Sequence, residues 1–134
     1  MIDTRTADEL EIRNLIAKLA FCADNPNIDD LDEYVDCFTE DGIWDMAGKV
    51  ASGRAEILAG AIARRQNSLG IKGRHFVSMT LLRLDSDTAV AESYFQFVHS
   101  ATKPPAIAMV GHYLDTFART PAGWKLAHRV ITFG

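Results

Sequence analysis

Three residues that could do acid-base chemistry fall on otherwise apolar faces of predicted elements. Asp24 follows an N-terminal helical pattern, one turn beyond Ala20 and over the same apolar stripe. His75 and Arg129 each share a strand row with apolar side chains. An imidazole beside a carboxylate can act as a general base, and an inward arginine needs an anionic partner or a wet cavity. One interpretation of these positions is therefore a shared acid-base site.

Each of these residues also has a simpler interpretation. Asp24 is compatible with a helix-end carboxylate in water, and His75 with a satisfied core or strand-end histidine. Arg129 is compatible with a structural ion pair to Asp115 or Glu92. Four aromatic residues are by default core residues, namely Trp44, Phe95, Phe97 and Tyr113.

Sequence signatures of phosphate, dinucleotide, serine-hydrolase and zinc-protease sites are absent from the sequence. Cys22 and Cys37 lack metal-type spacing and are expected to be buried free thiols. Neither a metal nor an organic cofactor is expected. The four histidines lie on separate strand-like runs without ligand spacing, at His75, His99, His112 and His128.

Length and charge bound the class of protein. A chain of 134 residues, with 48% hydrophobic and 24% charged residues, predicts one globular domain over 1–134. Acidic residues outnumber basic ones by 18 to 14 without a basic cluster, which argues against a nucleic-acid partner. No apolar run approaches the ~18 residues of a membrane span, so no membrane partner and a cytoplasmic location are expected.

The N-terminal half has helical periodicity. A capping box at Thr6 predicts a helix that runs to Asp24. A second helix is predicted from Asp29-Asp30 to near Asp41-Gly42, and Ser52 is the predicted N-cap of a third.

The C-terminal half alternates with period two. Short strands are predicted at 43–46 and 49–51, and an antiparallel meander at 74–84, 88–100, 106–119 and 123–133. Helices followed by strands predict an α+β fold with helices on one sheet face. Gly111 is predicted to form a bulge or bend of a curved sheet.

Both faces of the run 88–100 carry apolar side chains, which predicts that the face away from the helices meets another subunit. A homodimer or higher homo-oligomer is expected, with His112 as an interface candidate. The segment Thr102-Lys103-Pro104-Pro105 is predicted to be either a turn at a cavity mouth or an ordinary surface connection.

Six segments have a characteristic order and spacing, namely 15–24, 38–44, 53–57, 74–76, 110–117 and 123–129. Together they resemble the SnoaL-like branch of the nuclear transport factor 2-like superfamily. This resemblance implies a cone-shaped barrel of a curved mixed, mostly antiparallel sheet, with three N-terminal-half helices on its concave face.

Enzymes of this branch include scytalone dehydratase, hexachlorocyclohexane dehydrochlorinase and bile acid 7α-dehydratase, which use an Asp-His pair to eliminate water or HCl. The resemblance implies Asp24 and His75 as the pair and Arg129 as a charge near the reacting group. One departure is Leu19, which stands where relatives have a lysine or tyrosine. Trp44 and Tyr113 fall on positions that line the pocket in the family. The apolar residues Met79, Phe95 and Phe97 are further candidate substrate contacts, together with Leu19.

The sequence thus predicts a cofactor-independent lyase for a small apolar, cyclic or aromatic substrate. Two alternatives stay open. One is an isomerase or polyketide-cyclase-like enzyme with the same pair, and the other is a non-catalytic binding or assembly module.

Overall fold

A computed structural model describes residues 3–24, 31–66 and 73–134 of the chain. Its helices are α1 (Arg5–Ala23), α2 (Asp32–Asp36) and α3 (Arg54–Gln66). Its strands are β1 (Phe38–Met46), β2 (Lys49–Ser52), β3 (Gly73–Asp85), β4 (Thr88–His99), β5 (Ala106–Thr120) and β6 (Gly123–Phe133). The four long strands end within one residue of the ranges predicted from the period-two pattern.

The strands form one curved sheet in the order β2-β1-β6-β5-β4-β3. Neighbours are antiparallel except β1 and β6, which run parallel, so the sheet is mixed and mostly antiparallel. The fold is α+β, as predicted. Within the described ranges, β2 and β3 are edge strands that do not pair with each other, so the cone is not closed.

The helices cover the concave face of this sheet. On α1, Ile12, Ile16 and Leu19 are buried and face mainly β3 and β6. Along β4 every second side chain from Ala89 to Phe97 is buried, and the residues between them are exposed. The concave side is therefore the core side of the sheet. None of the described helices is long and apolar enough to cross a bilayer.

Helix α1 begins earlier than the capping box predicts. Thr4 is the N-cap residue, and Thr6 lies inside the first turn. The Thr4 hydroxyl donates to the Asp8 carboxylate at 3.2 Å, and Arg119 binds the same carboxylate from β5. The predicted capping box is therefore wrong, because a tertiary ion pair organises this end of the helix.

Helix α2 is shorter than predicted, and β1 starts at Phe38 instead of continuing the helix. The main chain here pairs with β6, since the Leu126 N–H donates to the Cys37 carbonyl at 2.8 Å. The Arg54 Nη2 atom donates a hydrogen bond to the Phe38 carbonyl oxygen at 2.6 Å. These bonds compete with further helical turns. The predicted start at Asp29-Asp30 lies outside the described residues.

Helix α3 begins at Arg54, and Ser52 is not its N-cap, contrary to prediction. Ser52 ends β2, and its N–H donates to the Glu56 carboxylate at 3.0 Å. Gly53, with φ of +83°, supplies the carbonyl that accepts the Ile57 N–H. A residue without a Cβ makes this left-handed entry without strain.

Gly111 does not sit at a bulge, which was one of the two roles predicted for it. The nearest irregularities of register lie at Phe97/Val98 in β4 and Thr116/Phe117 opposite β6. A Cβ at Gly111 would lie 2.4 Å from the Phe95 ring and 2.6 Å from the Thr132 carbonyl oxygen. The position needs glycine because an aromatic ring packs directly on the backbone of β5.

Candidate active site

A cavity of about 320 Å³ lies between the helices and the concave face of the sheet. Its wall is mainly apolar, with a few polar groups, as is usual for small-molecule sites. Seven of the nine residues predicted for the site line it, namely Leu19, Trp44, His75, Phe95, Phe97, Tyr113 and Arg129.

Asp24 and His75 form the central contact of the site. The His75 Nδ1 atom lies 2.5 Å from Asp24 Oδ1, and the His75 main-chain N–H donates to Asp24 Oδ2 at 2.8 Å. The Asp24 side chain is only 11% exposed and the His75 side chain 25%. One carboxylate therefore fixes both the position and the ring orientation of a single histidine.

This contact determines which ring nitrogen of His75 carries the proton. A carboxylate only accepts hydrogen bonds, so Nδ1 carries the proton that it donates to Asp24. In the neutral ring, Nε2 then has a free lone pair, as a general base requires. A positive charge that forms on the imidazole is stabilised by the adjacent carboxylate.

Local structure explains how these two residues meet. Asp24 is the C-cap of α1, and its N–H still donates to the Ala20 carbonyl at 3.1 Å, so the chain leaves the helix just beyond the apolar stripe. His75 lies near the start of β3, on the row that faces the helices. Its ring centroid is 4.7 Å from that of Phe97 on β4. Asp24 itself does not line the cavity but lies behind His75.

Arg129 forms the ion pair with Asp115 that the sequence allows, and it also lines the cavity. Its Nε and Nη2 atoms donate to the two Asp115 oxygens at 2.8 and 2.9 Å, and Nη1 lies outside this pair. Burial disfavours the charge, but the Asp115 carboxylate outweighs burial and raises the pKa of Arg129. The guanidinium stacks 3.8 Å from the Tyr113 ring centroid and lines the cavity.

An aromatic platform, formed by Phe95 and Tyr113, floors the cavity between Arg129 and His75. The two rings stack with centroids 4.3 Å apart and planes 9° from parallel. Burial raises the pKa of the Tyr113 hydroxyl, which therefore stays a neutral hydrogen-bond donor. The Tyr113 ring lies between the Phe95 ring and the Arg129 guanidinium, so its edge contributes to the apolar wall of the cavity.

Other predicted positions lie elsewhere. The side chain of Met79 is outside the described residues. His112 lies on the opposite face of the sheet, with Nε2 3.2 Å from a Glu92 oxygen. The Thr102–Pro105 segment is exposed, and none of its residues lines the cavity. Cys22 and Cys37 are free and buried.

Two arginines of α3 were missed by sequence reasoning. The Arg64 guanidinium lies 4.0 Å above the Trp44 ring centroid, and Arg65 is 6% exposed; both line the cavity. Burial lowers the pKa of Arg65, and the negative charge of Asp24 partly opposes that effect. A signal was present, because Arg65 follows the buried residues Ile57 and Ala61 at intervals of four.

The described residues contain no group of three His, Cys, Asp or Glu side chains placed to hold a metal ion.

The sequence profile of the SnoaL-like domain matches residues 4–130. The chain belongs to the SnoaL-like family. No protein of curated function matches it significantly in sequence.

Solved structures agree with this family and with the fold. An NTF2-like protein with a cystatin-like fold from Novosphingobium aromaticivorans is 28% identical, with a TM-score of 0.85 over 96% of this chain and 82% of that chain. ActVI-ORFA from Streptomyces coelicolor is 24% identical, with a TM-score of 0.78 over 93% of this chain and 96% of that one.

A third structure, from Novosphingobium aromaticivorans, is provisionally assigned as a scytalone dehydratase. It is 20% identical, with a TM-score of 0.81 over all of this chain and 89% of that chain. At this level of identity the similarity shows the fold alone. Members of the SnoaL-like family process small molecules, and the cavity of this chain has the size and apolar wall for one.

Proposed function

We propose that this SnoaL-like protein is a small-molecule lyase of the dehydratase type, with His75 as its general base. The observation that carries the proposal is the 2.5 Å contact between His75 Nδ1 and Asp24 beside an apolar cavity. It directs the free lone pair of Nε2 away from the carboxylate. The name of the dehydratase-like structural neighbour agrees with this reaction class.

In the proposed reaction, Nε2 takes a proton from a carbon next to a carbonyl group. The electron pair of the broken C–H bond first forms an enolate and then the new double bond, as hydroxide leaves the next carbon. The imidazolium returns its proton to the hydroxide, which departs as water. Asp24 stabilises the imidazolium and keeps its ring in place, and it remains a carboxylate throughout.

The charge that develops on the substrate oxygen requires a fixed positive partner. Arg129 supplies it, because Asp115 holds the guanidinium rigidly while Nη1 remains outside their pair. A charge fixed before the reaction costs no reorganisation in the transition state. We assign the apolar part of the substrate to the platform of Phe95 and Tyr113.

The test is a screen of cyclic β-hydroxy ketones with the purified protein, followed by mass spectrometry. Loss of one water identifies a lyase, whereas a product of unchanged mass identifies an isomerase. His75→Asn is expected to lower turnover by about 10²–10⁴-fold. A matched control is His112→Asn, which removes the other histidine-carboxylate pair, on the outer face. Unchanged turnover in His75→Asn rules out the proposed base.

We also infer that two copies of the chain pair through the outer face of the sheet. Exposed apolar side chains of neighbouring strands support this, among them Tyr94 at 54% and Val110 at 47% exposure. The Glu92–His112 pair adds one acid and one base, a pattern that a two-fold symmetric contact can match with itself. Tyr94→Lys is expected to yield monomers in analytical ultracentrifugation; a monomeric wild-type protein contradicts the pairing.

A further inference from the structure

We propose that the cavity selects a ring-bearing substrate with a carboxylate group, and that Arg64 binds this carboxylate. The inference rests on the proposed function only in assigning the same cavity to the substrate. It adds a charge requirement that the Asp24–His75 contact does not contain.

The first argument is the charge of the cavity wall. Three arginines and one histidine line it, and none of the described lining residues is Asp or Glu. Asp115 balances Arg129 through two hydrogen bonds, and Asp24 is engaged with His75 behind the wall. Arg64 therefore places a positive charge at the wall of a mainly apolar space, which favours an anionic ligand.

The second argument is the position of Arg64. Its guanidinium lies 4.0 Å above the Trp44 ring centroid, which holds the group at the wall by a cation-π contact. Arg64 forms no ion pair with any residue in the described ranges, whereas Arg54, Arg119 and Arg129 all do. A stacked guanidinium still presents its N–H edge to a carboxylate, which it can bind through two parallel hydrogen bonds.

The third argument is the separation of the two ends of the site. Trp44 lies on β1 and His75 on β3, and β6, β5 and β4 lie between these strands. The aromatic platform of Phe95 and Tyr113 occupies β4 and β5 in the middle. A carboxylate at Arg64 and a reacting carbon at His75 therefore belong to different positions of the ligand.

The test uses two probes of the same shape, 2-naphthoate and 2-naphthamide, with isothermal titration calorimetry. We expect the carboxylate to bind at least tenfold more tightly than the neutral amide. Arg64→Gln is expected to weaken 2-naphthoate binding by about ten- to hundredfold and to leave 2-naphthamide nearly unchanged. Arg83→Gln, at an exposed position of β3, is the matched control and should change neither affinity.

Several results overturn the inference. They are equal binding of the two probes, absence of saturable 2-naphthoate binding, and an Arg64→Gln variant that keeps the full preference for the carboxylate. Circular dichroism of Arg64→Gln establishes that the variant is folded. Because the assay needs no turnover, His75→Asn should still bind 2-naphthoate. The charge preference and the lyase proposal can therefore fail separately.

Discussion

Arg129 and Asp115 lie directly opposite each other on β6 and β5 and form a two-bonded ion pair inside the protein. Asp115 has no exposed surface. Removing one partner of such a pair leaves an uncompensated buried charge, which costs about 3–5 kcal/mol. We expect Asp115→Ala to lower the free energy of unfolding by this amount, measured by urea denaturation.

The double variant Asp115→Leu with Arg129→Met separates this effect from the loss of packing. Replacement of a whole buried ion pair by apolar side chains is often close to neutral. We therefore expect the double variant to regain most of the stability that Asp115→Ala loses. A double variant as unstable as the single one would show that packing, and not the unpaired charge, dominates.

The two glycines beneath the cavity rings predict different effects of an added methyl group. At Gly111 the new Cβ meets both the Phe95 ring and the fixed Thr132 carbonyl oxygen, at 2.4 and 2.6 Å. At Gly73 its nearest neighbours all belong to the Phe97 ring, a side chain that can rotate. Gly111→Ala should therefore cost about 1–3 kcal/mol of stability, and Gly73→Ala less. Equal losses in thermal denaturation would contradict this assignment.

Asp8 predicts a pH dependence of stability. Hydrogen bonds from Arg119 and Trp124 hold the pKa of Asp8 well below its usual range. A lowered pKa stabilises the folded state above the unfolded value of about 4, and this contribution is lost as pH falls below it. We expect Asp8→Asn to lower Tm clearly at pH 7, with a difference from wild type that shrinks towards pH 3.

The control for this experiment is Asp87→Asn. Asp87 accepts a hydrogen bond from the Nε atom of the same Arg119 at 2.9 Å, but its side chain is 75% exposed. An exposed pair contributes little, so Asp87→Asn should have a small effect at both pH values. A difference for Asp8→Asn that grows as pH falls would have the wrong sign for a lowered pKa.

The free thiols predict slow chemical modification of the folded protein. Burial raises the pKa of Cys37 to about 11, and its Sγ donates to the Glu33 carbonyl at 3.3 Å. Because the thiolate is the reactive form, Cys37 should resist a disulfide reagent at pH 8 until the protein unfolds. Fast labelling of Cys37 in native buffer, detected by mass spectrometry, would contradict this prediction.

The sequence predicts the meander well for two reasons. Apolar and polar side chains alternate with a period of two along each strand, and clear turn signals such as Asp85-Ser86-Asp87 separate the strands. The limits of the helices were predicted less well. Tertiary contacts decide them here, including the Asp8–Arg119 ion pair and the pairing of Cys37 with β6. A local capping pattern contains no information about a partner more than 100 residues away.

The candidate site could likewise be predicted only where local sequence pattern determines it. Periodicity places Asp24 and His75 on inward faces, but their contact spans 51 residues and depends on how α1 crosses the sheet. Arg64 and Arg65 were missed because arginines are common on the exposed surface of a helix C-terminus, where they interact favourably with the helix dipole. Only the packing of α3 against β1 shows that these side chains enter the cavity.

The main-chain bond from His75 to Asp24 also has a consequence for self-association. β3 is an edge strand that pairs only with β4 within the described chain, and an unpaired edge N–H invites a strand from another molecule. Asp24 occupies one of these edge groups near the start of the strand, at 2.8 Å. The carboxylate that orients the histidine therefore also hinders the pairing of β3 with a strand from another molecule.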